Sequence, residues 1–302
     1  MIPGRKQQMP RTTKRIGTPA WLAREALVHN VTLTLYDADM ARAFSRAATD
    51  LRRIARVHLK VDTGMGRLGL LPDQVVPFVE EIRSLPGLDL EGIFTHFSVA
   101  DDADLGYTRW QLAHFQEVLD RLDQIGVTFR FVHCANSAAT LRLPETRFNM
   151  VRLGLMMYGL QPSSHVPLPV GFRPALAWKT TIAQVKTLPP GSYVSYGNTY
   201  RTEKGETIAV IPVGYADGFR RAPTHWQVVL VRGRRAPIVG RVCMDQTMIH
   251  VSHIPNVRVG DEVVLIGRQG NDEITAEEVA DWLGTINYEV VSEILARVPR
   301  IV

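Results

Sequence analysis

Residues 54–69, IARVHLKVDTGMGRLG, join a strand-like segment to a polar loop with three glycines, and this unit decides the fold. Positions 54–61 are rich in aliphatic and β-branched residues, a pattern that predicts a β-strand. A helix is predicted from Pro72, with an apolar stripe that runs to Ile82. The same unit recurs on both sides: strands are predicted at 31–36, 88–97, 127–133 and 148–153, and helices at 37–50, 107–125 and 136–141. Repeated βα units predict a parallel sheet covered by helices, either open or closed into a barrel.

The second half of the chain has a different pattern. Residues 161–174, QPSSHVPLPVGFRP, hold four prolines and predict a linker. Beyond it most segments predict strands, at 175–188, 207–213, 228–231, 238–251 and 262–266. One helix is predicted at 274–283, with Thr275 as its N-cap and Glu278 completing a capping box.

Composition excludes several classes of protein. The chain has 302 residues, 45% of them hydrophobic and 22% charged, which is typical of a globular protein. Two cysteines exclude a disulfide scaffold and a four-cysteine zinc site, and no metal site is predicted. No apolar run approaches the roughly 18 residues of a membrane span, and the N-terminus has no secretory apolar region. The net charge of +5 includes 30 acidic residues and does not indicate a nucleic-acid partner, so we expect a cytoplasmic protein that binds neither nucleic acid nor membrane.

Polar residues gather where the predicted parallel strands end. Asp62 and Arg67 follow the second strand, His96 lies at the end of the third, and His133 and Ser137 follow the fourth. In barrels of this kind the active site lies at the C-terminal ends of the strands. The sequence therefore predicts a site at that edge of the sheet.

Residues 64–69, GMGRLG, match the G-x-G-x-x-G pattern of dinucleotide-binding proteins, and Asp89 follows about 20 residues later. In that motif the glycines themselves open the helix, whereas here the helix is predicted to begin only at Pro72. Arg67 also lies inside the loop. A tight turn that needs positive φ angles is the preferred interpretation, and a nicotinamide oxidoreductase ranks last among the functions considered.

The segment LKVDTGMGRLG, residues 59–69, closely resembles part of the alanine racemase family, enzymes of fold type III that use pyridoxal 5'-phosphate (PLP). Further blocks resemble the same family in the same order: EGIFTHF at 91–97, ANSA at 135–138, NMVRLG at 149–154, PVGYADG at 212–218, GRVCMDQ at 240–246 and INYE at 286–289. The resemblance runs from about Thr18 to the C-terminus. It implies an α/β plus β fold: an incomplete TIM-like (β/α) barrel followed by a mainly β C-terminal domain.

The resemblance also implies a domain organisation and an assembly. Residues 1–17 are expected to be a flexible tail, 18–165 a partial barrel that binds PLP, 166–174 a linker, and 175–302 a β domain that carries the catalytic tyrosine. Members of the family pair head to tail, so a homodimer is expected. Alanine is the implied substrate, with D-alanine supplied to peptidoglycan, although the sequence leaves serine open.

Cofactor-binding roles follow from the matching positions. Ser137 and Tyr288, with backbone amides around Gly154 and Leu155, are implied to hold the PLP phosphate, because neutral hydroxyls and N–H groups suit a phosphate dianion. Arg152 is implied to face the pyridine nitrogen, with His96 as its neighbour. The alternative for His96 is a buried histidine bonded to a backbone carbonyl.

Catalytic and substrate-binding roles follow in the same way. Tyr215 is implied to be the catalytic base, Arg67 and the backbone of Met244 to bind the substrate carboxylate, and Lys60 to be a carbamylated lysine that orients Arg67. Tyr215 and Met244 are implied to serve the partner subunit's active site. The alternatives are a half-buried sheet aromatic for Tyr215 and a solvated surface lysine for Lys60.

The sequence departs from the family pattern at the lysine that bonds PLP. Family members carry it in a motif like K-A-x-A-Y-G-H-G, and none of the lysines at 6, 14, 60, 179, 186 and 204 has that context. The chain is therefore interpreted as N-terminally truncated, with doubtful activity. The alternative function is a catalytically dead PLP-binding remnant without a Schiff-base lysine. A decarboxylase of the same fold type is a third possibility, which the 212–218 and 240–246 blocks disfavour.

Overall fold

The computed structural model describes residues 19–301, so the tail predicted at 1–17 lies outside the described residues. The described chain divides into two compact units. The first contains the described residues up to Met156 together with Pro162–Pro167, and the second contains Met157–Gln161 and the residues from Leu168.

The first unit is a parallel βα structure. Its helices are α1 Ala23–Val28, α2 Ala38–Leu51, α3 Val75–Ile82, α4 Gly106–Gln124 and α5 Ser137–Arg142, and its strands are β1 Leu33–Leu35, β2 Ala55–Lys60, β3 Leu88–Phe94 and β4 Phe131–His133. The strands lie in the order β1-β2-β3-β4, and each pair is parallel. Within residues 19–301 this sheet has four strands, half of a complete eight-stranded barrel. The predicted incomplete barrel is confirmed.

Apolar residues from strands and helices form the core of this unit. Leu35, Leu59 and Ile93 on the sheet pack with Phe44 of α2 and Val79 of α3, and all five are fully buried. Asp37 caps α2, since its carboxylate accepts a hydrogen bond from the Met40 amide at 2.9 Å.

The strand predicted at 148–153 is wrong. The structure has no strand there, and the segment is attached to the sheet region by the Arg152 amide, which donates to the carbonyl of Ala135 at 3.0 Å. Val151 and Leu153 are exposed, so the apolar members of the alternating pattern do not face the core. The polar residue between them, Arg152, is the one that faces inward.

The second unit is mainly antiparallel. Its strands are β5 Trp178–Thr181, β6 Gln184–Leu188, β7 Tyr193–Val194, β8 Tyr200–Arg201, β9 Glu206–Ile211, β10 Val228–Val231, β11 Arg234–Pro237, β12 Thr247–His250, β13 Glu262–Gln269 and β14 Asp272–Ile274, and its helices are α6 Ala276–Leu283 and α7 Asn287–Ser292. One sheet has the order β11-β10-β13-β14 with β5 paired to β13, a second has the order β12-β9-β6, and β7 pairs with β8. The predicted β character of this half is confirmed.

Helices α6 and α7 agree only in part with the predicted elements. Thr275 caps α6, since its hydroxyl accepts from the Glu278 amide at 3.1 Å, but the predicted capping box is wrong. The Glu278 carboxylate instead binds the guanidinium of Arg235, a charged partner that outcompetes a backbone amide. Helix α7, which carries Tyr288, is not among the predicted elements.

Candidate active site

The C-terminal ends of β2, β3 and β4 bring together several polar residues of the first unit. Lys60 and His133 are the last residues of their strands, and Thr95 and His96 follow β3 directly. Because the strands are parallel and Phe94, the last residue of β3, pairs with both Lys60 and His133, these ends lie at one edge of the sheet. This edge is where the sequence predicts the site.

Arg152 is the centre of a hydrogen-bond network at this edge. One terminal nitrogen, Nη1, donates to His133 Nδ1 at 2.6 Å and to the His133 carbonyl at 3.2 Å. The other, Nη2, donates to His96 Nδ1 at 3.0 Å and to the carbonyls of Thr95 and Cys134 at 2.8 and 3.2 Å. All these acceptors are neutral, and burial lowers the pKa of Arg152 to about 10. The guanidinium stays protonated at neutral pH and is held in one orientation.

The protonated state of Arg152 fixes the tautomers of a buried chain of histidines. His133 Nδ1 must accept from Arg152, so its proton lies on Nε2, which is 2.8 Å from His58 Nδ1. His58 then accepts at Nδ1 and donates from Nε2 to the Glu91 carboxylate at 3.3 Å. His58 and His133 are 1% exposed or less as whole residues, and the Glu91 side chain is 10% exposed. The chain Arg152–His133–His58–Glu91 therefore joins a buried cation to a carboxylate through two neutral rings.

His96 is also a neutral acceptor. Burial, together with the nearby cations Arg152, Lys60 and Arg67, lowers its pKa to about 4. Since Nδ1 accepts from Arg152, the ring proton is on Nε2. The predicted neighbourhood of His96 and Arg152 is present in the structure.

Lys60 is buried, and the alternative of a solvated surface lysine is wrong. Its side chain amine donates to the Val61 carbonyl at 2.7 Å and lies 5.4 Å from the centre of the Phe94 ring. Burial lowers the pKa of Lys60 to about 8, with Asp62 opposing the shift and Arg152 contributing to it. A part of the population is therefore a neutral amine, and so a nucleophile, at physiological pH.

The glycine loop after β2 folds around its own carboxylate. The Asp62 side chain accepts from the amides of Gly64, Met65, Gly66 and Arg67 at 2.8–3.1 Å. Gly64, Gly66 and Gly69 all have positive φ angles, as the turn interpretation requires. A loop whose amides are already used by Asp62 does not cradle a dinucleotide phosphate. The exposed Arg67 side chain leaves from this loop.

Ser137 and Gly154 meet beside the network. Asn136 caps α5 and places Ser137 at its first position, where the residue is 4% exposed. Its hydroxyl oxygen accepts from the Gly154 amide at 2.9 Å, so the hydroxyl hydrogen is left to donate. Leu155 follows at the start of a short 3-10 turn and is buried.

In the second unit, the loops that carry Tyr215 and Met244 are bonded to each other. The Tyr215 amide donates to the Cys243 carbonyl and the Ala216 amide to the Met244 carbonyl, both at 3.0 Å. Gly214 permits this approach, because a Cβ atom there would overlap both carbonyl oxygens. Tyr215 is 41% exposed and Met244 53%, so both side chains are accessible on this unit.

Tyr288 lies in the first turn of α7 and is 40% exposed. It belongs to the second unit, whereas Ser137 and Arg152 belong to the first, so their joint role stays a prediction. Among residues 19–301, no group of three or more His, Cys, Asp and Glu side chains is arranged to hold a metal ion. No helix in the same range is long and apolar enough to span a bilayer.

His58 and Glu91 are not among the residues predicted for the site. The sequence contains a signal for His58: it and Lys60 lie on one face of β2, and they alternate with apolar residues on the other face. Polar residues buried on a strand need hydrogen-bond partners. Gly92 is a second signal: a Cβ there would overlap the His58 ring, so this glycine leaves room for the imidazole.

These features define a two-unit α/β enzyme with a buried cation and neutral hydrogen-bond donors at the edge of a partial barrel. The alanine racemase N-terminal domain matches residues 6–162, and the alanine racemase C-terminal domain matches residues 175–302. The chain belongs to the alanine racemase family.

Relatives support this assignment over most of the chain. The alanine racemase of Desulfovibrio desulfuricans is 45% identical over 284 residues, covering 94% of this chain and 76% of that protein. The alanine racemase of Desulforamulus reducens is 48% identical over 279 residues, covering 92% and 75%. The structure is similar to that of the Bacillus anthracis alanine racemase with bound L-Ala-P, with a TM-score of 0.88, 42% identity and coverage of 94% and 74%. It is also similar to the Streptomyces coelicolor alanine racemase, with a TM-score of 0.88 and 35% identity over 95% and 76% of the two chains.

Proposed function

We propose that this protein interconverts L- and D-alanine with PLP as cofactor and so supplies D-alanine for peptidoglycan. The observation that carries the proposal is the Arg152 guanidinium, which neutral acceptors hold at the sheet edge where a cofactor of this family would bind. Family membership and relatives over 90% of the chain support the reaction type.

The residues of the first unit fit PLP. The phosphate would be held by the Ser137 hydroxyl and the Leu155 amide, with Tyr288 as a further donor and with the Gly154 amide turning to it from Ser137 Oγ, to which it donates at 2.9 Å. Among the described residues, Arg152 donates only from its two terminal nitrogens, which leaves the Nε–H for the pyridine nitrogen. A guanidinium donates a hydrogen bond without giving up its proton. When bound, PLP supplies an electron sink for negative charge that develops at the substrate α-carbon.

Three residues would handle the substrate. Arg67 and the Met244 backbone would bind its carboxylate, and Tyr215 would take or return the α-proton on one face. We further propose that Lys60 reacts with carbon dioxide: its neutral nitrogen bonds to the carbon, one C=O becomes C–O⁻, and the displaced proton goes to solvent. The carbamate would add a negative charge that orients Arg67.

The lysine that bonds PLP and exchanges the proton on the opposite face would be contributed by residues outside the 302. Racemisation by a chain extended with the preceding coding sequence, measured by chiral chromatography of L-alanine, tests this proposal. An extended chain that carries the lysine motif and binds PLP without forming D-alanine would contradict it.

The missing lysine context favours a second candidate, a PLP-binding remnant. Borohydride reduction of the extended chain separates the two, because a remnant retains no cofactor after reduction and denaturation, whereas the enzyme retains it covalently on the added lysine. We also propose a head-to-tail homodimer in which Tyr215 and Met244 serve the partner's site. Sedimentation velocity of the full chain tests the dimer, and a monomer at micromolar concentration would contradict it.

A further inference from the structure

The two loops that carry Tyr215 and Met244 are joined by an ion-pair bridge in addition to their backbone bonds. Arg297, near the C-terminus, donates from Nε to Asp217 Oδ1 at 2.6 Å and from Nη2 to Asp245 Oδ1 at 2.7 Å. Asp217 lies two residues after Tyr215, and Asp245 directly follows Met244. One guanidinium therefore links the two loops from the side.

Both oxygens of the Asp217 carboxylate accept hydrogen bonds. Its second oxygen accepts from the Gly214 amide at 2.9 Å, across the turn that holds Tyr215. The backbone of the same residue accepts from the Leu295 amide at 3.0 Å, which fastens the C-terminal segment to this turn. The Asp217 side chain is 14% exposed. The two carboxylates raise the pKa of Arg297 above its ordinary value.

We propose that Arg297 is a positioning residue that holds the Tyr215 hydroxyl and the Met244 backbone at a fixed separation. The inference rests on the proposed roles of Tyr215 and Met244 in the reaction. The planar guanidinium presents two N–H groups to two carboxylates at once, whereas a lysine ammonium at the end of a flexible stem binds them less rigidly.

The effect of this bridge is expected to be local. Arg297 is 46% exposed and Asp245 58% exposed, and ion pairs with this exposure contribute little to the stability of a whole domain. The turns at 214–217 and 243–246 are held together mainly by two backbone hydrogen bonds, which the amides of Tyr215 and Ala216 donate. Opening of these bonds is what the bridge would suppress.

Amide hydrogen exchange of the full chain without cofactor tests the proposal. In Arg297→Met, the amides of Tyr215 and Ala216 are expected to exchange about tenfold faster or more, as for the loss of a charge-assisted bond, while Val229 in β10 exchanges at the wild-type rate. Arg297→Lys is expected to restore part of the protection. Arg268→Met is the matched control, because Arg268 pairs with one surface carboxylate, Glu273, at 3.1 Å.

Wild-type exchange at Tyr215 and Ala216 in Arg297→Met would overturn the proposal. Asp245→Asn provides a second test that retains Arg297, and faster exchange at Ala216 is expected there; an unchanged rate would also overturn the proposal. Amide exchange needs neither cofactor nor substrate. A lack of racemisation would therefore contradict the proposed role of Tyr215, but it would not contradict the proposed role of Arg297. In a racemising chain, Asp217→Asn is expected to lower mainly kcat and Asp245→Asn to raise mainly KM.

Discussion

Replacing Glu91 tests whether the histidine chain depends on its terminal carboxylate. In Glu91→Leu, the His58 Nε2–H loses its hydrogen bond to the Glu91 carboxylate, in a site where the His58 side chain is 2% exposed. A hydrogen bond to a charged group contributes about 1.5–3 kcal/mol, and this is the loss of stability expected for the variant. Glu91→Gln retains a carbonyl acceptor, so its cost is expected to be about 1 kcal/mol or less. The predicted order of stability is wild type, then Glu91→Gln, then Glu91→Leu.

Urea unfolding followed by circular dichroism measures these differences. Glu81→Leu is the control, because Glu81 forms a surface ion pair with Arg42 and its side chain is 52% exposed. We expect a change of about 0.5 kcal/mol or less there. In wild-type protein labelled with ¹⁵N at histidine, the Nδ1 atoms of His133 and His58 should lack protons. A proton on either Nδ1, or a Glu91→Leu variant as stable as wild type, would refute the reasoning.

Three further predictions concern other parts of the site. Gly214→Ala should destabilise the second unit by about 1–3 kcal/mol, because its Cβ would overlap the Met244 carbonyl; thermal unfolding at the wild-type temperature would contradict this. His96 should make the protein less stable as pH falls from about 6.5 to about 4, because the unfolded histidine binds a proton in this range and the folded one does not. The free energy of unfolding should decrease by up to about 1.4 kcal/mol per pH unit for this residue. The stability of the His96→Gln variant should therefore depend less on pH in this range. A variant with the same pH profile as wild type would contradict the prediction. Lys60 should give a carbamate signal in ¹³C NMR with labelled bicarbonate, absent from Lys60→Met; the same spectrum from both proteins would exclude the assignment.

The order of elements from β1 to α5 could be predicted from the sequence because the strands alternate and the helices have an apolar stripe, whereas helix α1 was not predicted. Strand β2 and helix α2 lie within one residue of the ranges expected. The failure at 148–153 arises because alternation alone does not say which face is buried. There the polar residue, Arg152, turns inward and makes five hydrogen bonds, and Val151 and Leu153 are left exposed.

The site could be predicted only in part. The positions of His96, Ser137 and Arg152 follow from motifs that resemble the alanine racemase family, and their neighbourhood follows from parallel strand ends. The bonding of His58 to His133 could not be predicted, because it depends on the register between β2, β3 and β4. The hydrogen bonds between the Asp62 carboxylate and the amides of its own loop could not be predicted either, because they depend on backbone geometry that a glycine pattern does not specify.

The central claim is that PLP binds at the edge of the partial barrel, with its phosphate at Gly154 and its ring nitrogen at Arg152. Titration of PLP into the ¹⁵N-labelled full chain, followed by two-dimensional NMR, tests it most directly. The account predicts saturable shifts of the Gly154 and Leu155 amides and of the Arg152 Nε–H. Saturable binding that leaves these three signals in place, or no binding at millimolar PLP, would contradict it.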